Sequence, residues 1–558
     1  MSSPPRGIRR FTVAALSCTL SVLPLTSGIA HALTPADQGP AAPRAAATAL
    51  ATTLATTPPM GWNDWAHYEC SVTEQTVVAN ADALVSTGLA AKGYKTVTVD
   101  DCWMTTSRDS SGTLVADPVK FPHGMAWLGT YLHSKGLNFG IYEDAGSTTC
   151  GGYPGSGSSG GGPDHFAHDA ATFASWGVDY LKLDGCNVYI PSGQTTEQAY
   201  RNAYSAEASA LAAAGRPIVF SESAPAYFQS GEWGNPTWFD VLGWVGQYGQ
   251  LWREGWDIAT YSASNPNASR WSSVLSNYGY NRWIARYAHP GNWNDPDFLI
   301  AGDPGLSADE SRSQVALWAM MNAPMILSSD VSALSSAGLA ALGNTDIIAV
   351  DQDSAGKQAG VVSTNGSVDV LAKPLANGDR AVSVLNRGSS AQSVSTTLSS
   401  IGLPGCTVSA KDLWTGTTST TSSALSATIP AHGTAIWRLT PAAGCAAATP
   451  TGEIVGNGAK CADVTGSGQT DGTAVILYSC TGNSNQAWVR PGDGTARSLG
   501  KCLTASGTSA GSAVVISSCV GSAAQHWTAH ADGTLTSDAS GLCLDVYGGG
   551  SADSTKLD

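Results

Sequence analysis

The chain of 558 residues is long enough for roughly three or four domains, and its 43 acidic against 28 basic residues give a net charge of −15 at pH 7. This acidic balance argues against a surface that holds phosphate backbones, so nucleic acid is not expected as a partner. Only 13% of the residues are charged, whereas 63 are Gly and 18 are Trp. Such a composition is common where aromatic rings stack on neutral polar ligands, and sugars are one such class.

The first residues have the form of a secretory signal. Basic residues precede an apolar run from 11 to 25, and residues 30–32 have the small-x-small pattern that signal peptidase cuts. We therefore predict a signal peptide over 1–32 and a secreted, extracellular protein. No later segment is apolar over the roughly 20 residues that cross a bilayer, so no membrane partner is expected. Export permits disulfides, and loss of Cys18 leaves eleven of the twelve cysteines, an odd number.

Composition and patterning divide the remaining chain into five segments. Residues 33–56 form an Ala/Thr/Pro linker with almost no large apolar side chain. Between 57 and 355, β-branched runs alternate with helical stretches, which predicts an α/β fold, most simply a (β/α)8 barrel. From 356 to 440, short alternating runs between Asn-Gly and Ser-rich turns predict an antiparallel β domain. A second linker at 441–452 precedes an internal repeat over 453–558.

Individual elements follow from the same patterns. Capping-box spacing at 71–74 predicts a helix that runs to Gly93. Barrel strands are expected at 95–99, 137–142, 179–183, 217–220 and 324–327, and strands of the β domain at 367–371, 380–385 and 434–439. In a (β/α)8 barrel, the catalytic residues lie at the carboxyl ends of the strands.

The C-terminal repeat begins each unit with a cysteine. Cys461, Cys502 and Cys543 are evenly spaced, and Gln-x-Trp elements close the first two units at 486–488 and 525–527. The pattern resembles the ricin-type β-trefoil lectins of carbohydrate-binding module family 13. Because the third unit stops without its second Cys and its Gln-x-Trp, we predict a truncated trefoil with Cys543 as the odd cysteine.

The lectin resemblance also implies particular pairings and contacts. It implies the disulfides Cys461–Cys480 and Cys502–Cys519, and a carbohydrate polymer as the partner of this domain. In the second unit Thr504 stands where the family has Asp, which puts sugar binding there in doubt; a trefoil retained only as a spacer is the alternative. The sugar-binding residues implied for the first unit are Asp463, Tyr478, Asn485 and Gln486.

One predicted barrel strand carries a charged pair. A period of two places Tyr180, Lys182 and Asp184 on one face, so an ammonium lies beside a carboxylate at the mouth of the strand. The cation would keep Asp184 ionised, as a nucleophile requires. A structural ion pair or a helix N-cap is the alternative interpretation.

Further carboxylates follow other strands and lie near aromatic residues. Asp100 and Asp101 come directly after a predicted strand, and carboxylates accept hydrogen bonds from sugar hydroxyls while rings stack on C–H faces. The alternative is that these residues cap loops. The set is completed by Trp62, Trp65, Trp103, Arg253, Asp257, Asp295 and Asp297.

Taken in order, these motifs resemble glycoside hydrolase family 27, the α-galactosidase family, in its secreted bacterial type. The matching segments are PMGWNDW at 59–65, DDCW at 100–103, HSKGLNFGIY at 133–142, YLKLDGC at 180–186, WNDPD at 293–297 and VDQD at 350–353. The resemblance implies a (β/α)8 barrel followed by an antiparallel β domain, and hydrolysis with retention of the anomeric configuration. An α-galactoside-containing oligo- or polysaccharide is the implied substrate.

The resemblance assigns roles residue by residue. Asp184 would be the nucleophile and Asp257 the general acid/base, which in a retaining enzyme lie about 5 to 5.5 Å apart. The implied disulfides are Cys70–Cys102 and Cys150–Cys186. The implied substrate-binding residues are Trp65, Asp100, Asp101, Tyr142, Lys182, Ser223, Ala226, Tyr227, Arg253 and Asp297.

The segment after residue 220 leaves the substrate open. Galactosidases carry a Cys-Glu-Trp element here, and alignment by the strand end puts Ser223 and Ala226 in the places that resemble α-N-acetylgalactosaminidases. If residues 232–234, Glu-Trp-Gly, are aligned with this element instead, the segment has the galactosidase form, but the loop after the strand must then be longer. Asp101 argues against the β-L-arabinopyranosidase members, which have Glu there. The expected function is therefore a retaining exo-α-galactosidase; the alternatives are an α-N-acetylgalactosaminidase, a β-L-arabinopyranosidase or a non-catalytic carbohydrate-binding protein.

No metal or cofactor is expected. The ten histidines form no H-E-x-x-H motif, and no Cys-x-x-Cys accompanies them. The partners of Cys406 and Cys445 stay open, although pairing them with each other is the simplest count. The oligomeric state cannot be predicted from these patterns.

Overall fold

A computed structural model describes residues 54–229, 236–282, 284–398, 400–403, 405–445, 452–481, 483–490, 494–529 and 534–558. The predicted signal peptide and most of the 33–56 linker lie outside these residues. Among the described residues, no helix combines the length and the apolar character that crossing a membrane requires.

Eight parallel strands form the first domain. They follow one another round a sheet in the order β7-β6-β5-β4-β3-β2-β1-β8. A parallel bridge between Leu299, which follows β7, and Leu327 of β8 closes the circle. The strands are β1 (Met60–Asn63), β2 (Thr96–Val99), β3 (Asn138–Asp144), β4 (Tyr180–Asp184), β5 (Val219–Glu222), β6 (Leu251–Arg253), β7 (Trp293–Asp295) and β8 (Met325–Leu327). The predicted (β/α)8 barrel is confirmed.

Helices connect these strands. They are α1 (Trp65–Tyr68), α2 (Glu74–Ser86), α3 (Gly124–Ser134), α4 (Phe166–Trp176), α5 (Thr196–Ala213), α6 (Pro236–Val245), α7 (Trp271–Asn281), α8 (Ala308–Met321), α9 (Ser336–Leu342) and α10 (Thr345–Asp351). The capping box expected at 71–74 is wrong, because Thr73 caps α2 and accepts from the backbone N–H of Thr76. The capping boxes that the structure does contain begin α5 at Thr195 and α8 at Ser307.

The five predicted barrel strands coincide with β2, β3, β4, β5 and β8. The prediction missed β1, β6 and β7, which have only three or four residues. Other strands as short were predicted, but none of these three contains Val, Ile or Thr, the β-branched residues that indicate a strand. Their large side chains are nevertheless buried, as Trp62, Trp252 and Trp293 show.

The second domain is antiparallel, as predicted. Its strands are β9 (Gly360–Asn365), β10 (Val368–Pro374), β11 (Arg380–Asn386), β12 (Gln392–Thr397), β13 (Val408–Asp412), β14 (Thr418–Thr421), β15 (Ala424–Ile429) and β16 (Thr434–Pro441). One sheet has the order β14-β13-β16-β11-β10-β9, and β12 pairs with β15. A disulfide joins Cys406 to Cys445, so the simplest pairing of these cysteines is confirmed.

Helix α8 joins the barrel to the β domain. All but three of its residues are buried, because it packs against the barrel on one side and against β10, β11 and β16 on the other. Lys373 of β10 donates to the carbonyl oxygen of Ala319 and to Oδ1 of Asn322, each at 2.7 Å. Apolar residues of both domains form one continuous core, so the β domain supports the barrel from behind.

The same Trp hydrogen bond recurs in the first two units of the C-terminal domain. Its strands are β17 (Cys461–Val464), β18 (Thr473–Tyr478), β19 (Arg497–Ser498), β20 (Lys501–Ala505), β21 (Val514–Ser517), β22 (Trp527–Ala529), β23 (Leu535–Ser537) and β24 (Thr555–Lys556). In the first two units the Trp indole donates to a strand carbonyl: Trp488 to Ala462 at 2.9 Å and Trp527 to Leu503 at 3.0 Å. The repeat read from the sequence is therefore a structural repeat.

All four disulfides implied by the resemblances are present. Together with Cys406–Cys445 they use ten cysteines, and Cys543 forms no disulfide.

Candidate active site

Asp184 ends β4 at the mouth of the barrel. Its Oδ1 accepts from the Tyr227 hydroxyl at 2.6 Å and from the backbone N–H of Gly185 at 3.0 Å. Its Oδ2 accepts from the Tyr142 hydroxyl at the longer distance of 3.3 Å. One oxygen is therefore held by two firm bonds, while the other is held weakly.

A second carboxylate, Asp144, lies beside Asp184. The register of β3 and β4 places the two residues directly opposite each other. Asp144 is fully buried and accepts two backbone N–H groups, from Gly146 at 2.6 Å and from Cys186 at 3.0 Å. Burial, reinforced by the charge of Asp184, raises its pKa well above the usual value. Through its two hydrogen bonds, Asp144 connects the loop after β3 to the loop after β4.

Sequence reasoning missed Asp144, although a signal was available. Tyr142 and Asp144 are two residues apart, so they share a face of the strand, and Tyr142 was among the predicted site residues. The expected strand ended at residue 142, whereas β3 continues to Asp144.

The partner of Lys182 differs from the expectation. Its ammonium forms an ion pair with Asp100 at 2.8 Å, not with Asp184. Asn63 donates to the same Asp100 oxygen at 2.6 Å. The negative charges of Asp100 and Asp184 outweigh the effect of burial and raise the pKa of Lys182. Lys182 thus remains a buried cation within the field of Asp184, and the ammonium also lies 5.1 Å from the Tyr142 ring centre.

Asp101 is held by the backbone of two loops. Its side chain accepts from the N–H groups of Cys102 at 2.6 Å and Gly151 at 2.8 Å. Burial raises its pKa against the lowering effect of these bonds. The Cys70–Cys102 and Cys150–Cys186 disulfides fix the loops that carry these groups.

Arg253 ends β6 and joins two carboxylates. Its guanidinium lies 2.9 Å from an oxygen of Asp257 and 3.0 Å from an oxygen of Asp297. Arg253 and Asp297 are buried, whereas the side chain of Asp257 is 71% exposed. Asp297 has φ 81°, a left-handed conformation that costs energy for a residue other than Gly. Its Oδ2 accepts from the N–H of Ile258 at 2.7 Å.

The two carboxyl groups on Arg253 titrate differently. Burial and the neighbouring carboxylates overcome the effect of Arg253 and raise the pKa of Asp297 to about 7. At Asp257, desolvation is outweighed by the charges of Arg253 and Lys182, which lower the pKa. Asp257 is therefore an exposed carboxyl whose ionised form is favoured by two cations.

The segment after β5 brings Tyr227 into the site. Ser223 is buried directly after the strand, Ala226 is half-buried, and Tyr227 contacts Asp184 as described. The strand-end alignment is therefore compatible with the structure. The alternative element at 232–234 lies outside the described residues.

Trp65 is the remaining predicted pocket residue. It is half-buried at the start of α1, and its backbone N–H donates to Asn63 Oδ1 at 2.8 Å. Asn63 thus connects the start of α1 to Asp100. Asn63 is part of the PMGWNDW segment at 59–65, but sequence reasoning gave it no role because its partner Asp100 follows a different strand.

Potential metal ligands occur in two clusters of the described chain. Asp144 lies near Cys150 and Cys186, and Glu453 lies near Cys461 and Cys480. Both pairs of cysteines are disulfides, so their sulfurs are not thiolates able to bind a metal.

Hydrogen bonds hold the residues of the predicted sugar site of the C-terminal domain in position. Gln486 is fully buried and donates to Asp463 Oδ2 at 2.8 Å, so it positions that carboxylate from within. Asn485 donates to the carbonyl of Val464 at 3.1 Å, and Tyr478 is 37% exposed. In the second unit Gln525 donates to Thr504 at 3.2 Å, so a hydroxyl replaces the carboxylate.

Three family models match successive parts of the chain. The one described as Alpha galactosidase A matches residues 57–353, the Alpha galactosidase C-terminal beta sandwich domain matches 365–439, and the Ricin-type beta-trefoil lectin domain matches 450–557. The order agrees with the barrel, the β domain and the repeat, and it confirms the predicted fold class.

Individual proteins show the same likeness. Alpha-galactosidase A of Aspergillus niger is 43% identical over 448 residues, which cover 80% of this chain and 80% of that protein. The crystal structure of α-galactosidase I from Mortierella vinacea has a TM-score of 0.62 at 32% identity and covers 71% of this chain and 100% of that one. The Saccharomyces cerevisiae α-galactosidase structure with raffinose has a TM-score of 0.61 at 28% identity and covers 70% and 99%. These three proteins are fungal and do not support the bacterial type.

We predict that Asp144→Asn lowers kcat/KM for a nitrophenyl glycoside about tenfold or more. Asn offers one acceptor oxygen where the Asp carboxyl group has two, each facing one backbone N–H, so one of the two N–H groups would face the amide NH2 and the loops beside Asp184 would loosen. Steady-state kinetics together with thermal unfolding would separate this effect from a loss of fold.

Glu143→Gln is the matched control on the same strand. Glu143 is buried, its pKa is raised well above the usual value by burial, and its carboxyl has no hydrogen-bond partner within the described chain. The amide resembles the neutral acid, so kcat/KM should stay within about twofold of wild type. Equal losses in both variants would contradict the role given to Asp144.

Proposed function

Since this chain belongs to the α-galactosidase family of glycoside hydrolases, family 27, we propose that it is a retaining exo-glycosidase that removes terminal α-D-galactosyl residues from oligo- and polysaccharides. The observation that carries the proposal is the pair Asp184 and Asp257 at the mouth of the barrel. Tyrosines and a backbone N–H hold the first carboxylate, and Arg253 binds the second, which faces solvent.

Asp184 acts as the nucleophile. Its Oδ1 is held by Tyr227 and Gly185, so the weakly bound Oδ2 attacks the anomeric carbon. The glycosidic bond breaks and a galactosyl ester of Asp184 forms. The charge of Asp184 contributes to the raised pKa of Lys182, so a buried cation lies near the attacking carboxylate.

Asp257 acts as the general acid and then as the general base. Its proton passes to the glycosidic oxygen as the leaving group departs, and the resulting carboxylate removes a proton from the water that hydrolyses the ester. Because Arg253 and Lys182 lower its pKa, the acid form is populated only in acidic solution. The proposed enzyme therefore works best at acidic pH.

The other predicted pocket residues bind the sugar. Asp100 and Asp101 accept from the 4- and 6-hydroxyls, and Lys182 contacts the 3- and 4-hydroxyls. Arg253 lies near the 2-position. Lys182 pairs with Asp100, Asp101 accepts from backbone N–H groups and Arg253 pairs with Asp257. All four charges are therefore held in place before substrate arrives. Trp65, Tyr142 and Asp297 line the pocket.

A second candidate is α-N-acetylgalactosaminide hydrolysis. Ser223 is buried directly after β5, and Tyr227, four residues later, contacts Asp184. This placement supports the alignment that puts the small residues Ser223 and Ala226 beside the 2-position, where an acetamido group needs room.

The C-terminal domain and the N-terminal segment complete the proposal. The repeat holds the enzyme on a carbohydrate polymer through Asp463, Asn485 and Tyr478. The pattern over residues 1–32 and the five disulfides support export of the protein.

Substitution of the two aspartates should give different defects. Asp184→Asn should abolish turnover of every glycoside because no ester can form. Asp257→Ala should lose several hundredfold in kcat/KM on raffinose but little in kcat/KM on a dinitrophenyl α-galactoside, whose leaving group needs no proton. Its kcat should fall on both substrates because the base for ester hydrolysis is missing, and the alkaline limb of the pH profile of kcat/KM should disappear. Kinetics between pH 3 and 8 would measure both effects. Unchanged activity of Asp184→Asn would remove this residue from the role.

Three nitrophenyl glycosides test the sugar preference: the α-galactoside, the α-N-acetylgalactosaminide and the β-L-arabinopyranoside. We expect the highest kcat/KM with the α-galactoside. A dominant rate on the acetamido sugar would instead support the second candidate. Ser223→Glu, which fills the space beside the 2-position, should then lower the ratio of acetamido to galactoside activity at least tenfold, roughly the effect of one steric or polar mismatch.

A further inference from the structure

Trp256 is the tryptophan directly before Asp257, and its indole is 57% exposed. Trp127, the other tryptophan with an exposed indole in the described chain, stacks between His123 and Tyr131, with ring centres 4.6 and 5.4 Å away. Among the described residues, no aromatic ring stacks on Trp256. An open indole thus lies beside the proposed general acid.

The turn that carries Trp256 is fixed on both sides. The Trp238 indole donates to the carbonyl of Glu254 at 2.8 Å, and the Arg253 guanidinium donates to the carbonyl of Gly255 at 3.2 Å. A side chain at Gly255 would come within 2.7 Å of the Tyr280 ring, so this residue packs closely.

On the other side of the turn, the N–H of Ile258 donates to Asp297 at 2.7 Å, and Ile258 is buried. Between residues 251 and 260, Trp256 and Asp257 are the two that are exposed. The indole and the carboxyl are therefore the two side chains that this firmly held turn exposes to solvent.

The chemistry of the proposed function determines what lies against this indole. A general acid must contact the glycosidic oxygen, and that oxygen belongs to the leaving group. Consecutive Cα atoms are about 3.8 Å apart, so the first ring of the leaving group lies within reach of the Trp256 side chain.

The surroundings of the indole favour a sugar over an apolar group. An apolar leaving group would be bound best by a contiguous apolar patch, whereas Trp256 is one indole beside the charged Asp257. A pyranose fits this surface, since its C–H face stacks on the ring and its hydroxyls stay in water.

We propose that Trp256 forms a leaving-group subsite, in which its indole stacks on the sugar ring attached to the terminal galactosyl residue. This inference rests on the proposed glycosidase function. The subsite makes the enzyme prefer oligosaccharides over galactosides with small leaving groups.

The test compares kcat/KM of wild type and Trp256→Ala on raffinose and on α-galactosyl fluoride. Raffinose has a sugar leaving group, whereas fluoride has nothing to stack. We expect Trp256→Ala to lose about fivefold to tenfold on raffinose, the value of one aromatic stacking contact, and less than about twofold on the fluoride. Trp256→Phe, which keeps a ring, should recover most of the raffinose activity.

Trp127→Ala is the matched control, because it removes an exposed indole on α3. It should change neither rate, and thermal unfolding of each variant checks that the fold is intact. An equal loss of Trp256→Ala on both substrates would show that the residue acts through the turn of Asp257 and would overturn the subsite, as would no loss on raffinose. If wild type hydrolyses neither substrate, the proposed function fails and the subsite fails with it.

Discussion

Two buried cations, Lys182 and Arg253, hold a cluster of carboxylates together at the mouth of the barrel. Lys182 pairs with Asp100, and Arg253 joins Asp257 to Asp297. Further carboxyl groups lie close by, and burial raises the pKa of Asp64, Asp144 and Asp295. Because raised pKa values favour the neutral forms of these three acids, the two cations need to balance only the carboxylates that they contact. Burial and the placement of the two cations together set the charge distribution of the site.

The barrel fixes this distribution of charge. Parallel strands deliver their last residues to one rim, so Asp100, Asp184 and Arg253 meet although they are far apart in the chain. Disulfides and backbone hydrogen bonds then fix the loops, and Asp144 connects those after β3 and β4. The β domain packs on α8 and supports the barrel from behind. The strained φ of Asp297 persists because Arg253 and Ile258 hold its side chain.

Much of this organisation could be predicted from the sequence. Five of the eight barrel strands, the antiparallel domain and the repeated Gln-x-Trp units carry local sequence signals, and the resemblance to family 27 pointed to both proposed catalytic aspartates. The partner of Lys182 could not be predicted, because a strand pattern gives the face of a side chain but not the neighbour it reaches across the barrel. Asn63 was given no role for a similar reason, since its contact joins two strands, whereas Asp144 was missed because the expected strand ended two residues too early.

The central claim is that Asp184 and Asp257 carry out two successive displacements, so that the product keeps the anomeric configuration of the substrate. Proton NMR during hydrolysis of an α-galactoside tests it most directly, because the first-formed sugar is seen before mutarotation. The account predicts that α-galactose appears first and β-galactose only later. Initial release of β-galactose would require a single displacement by water and would contradict the role of Asp184 as a nucleophile.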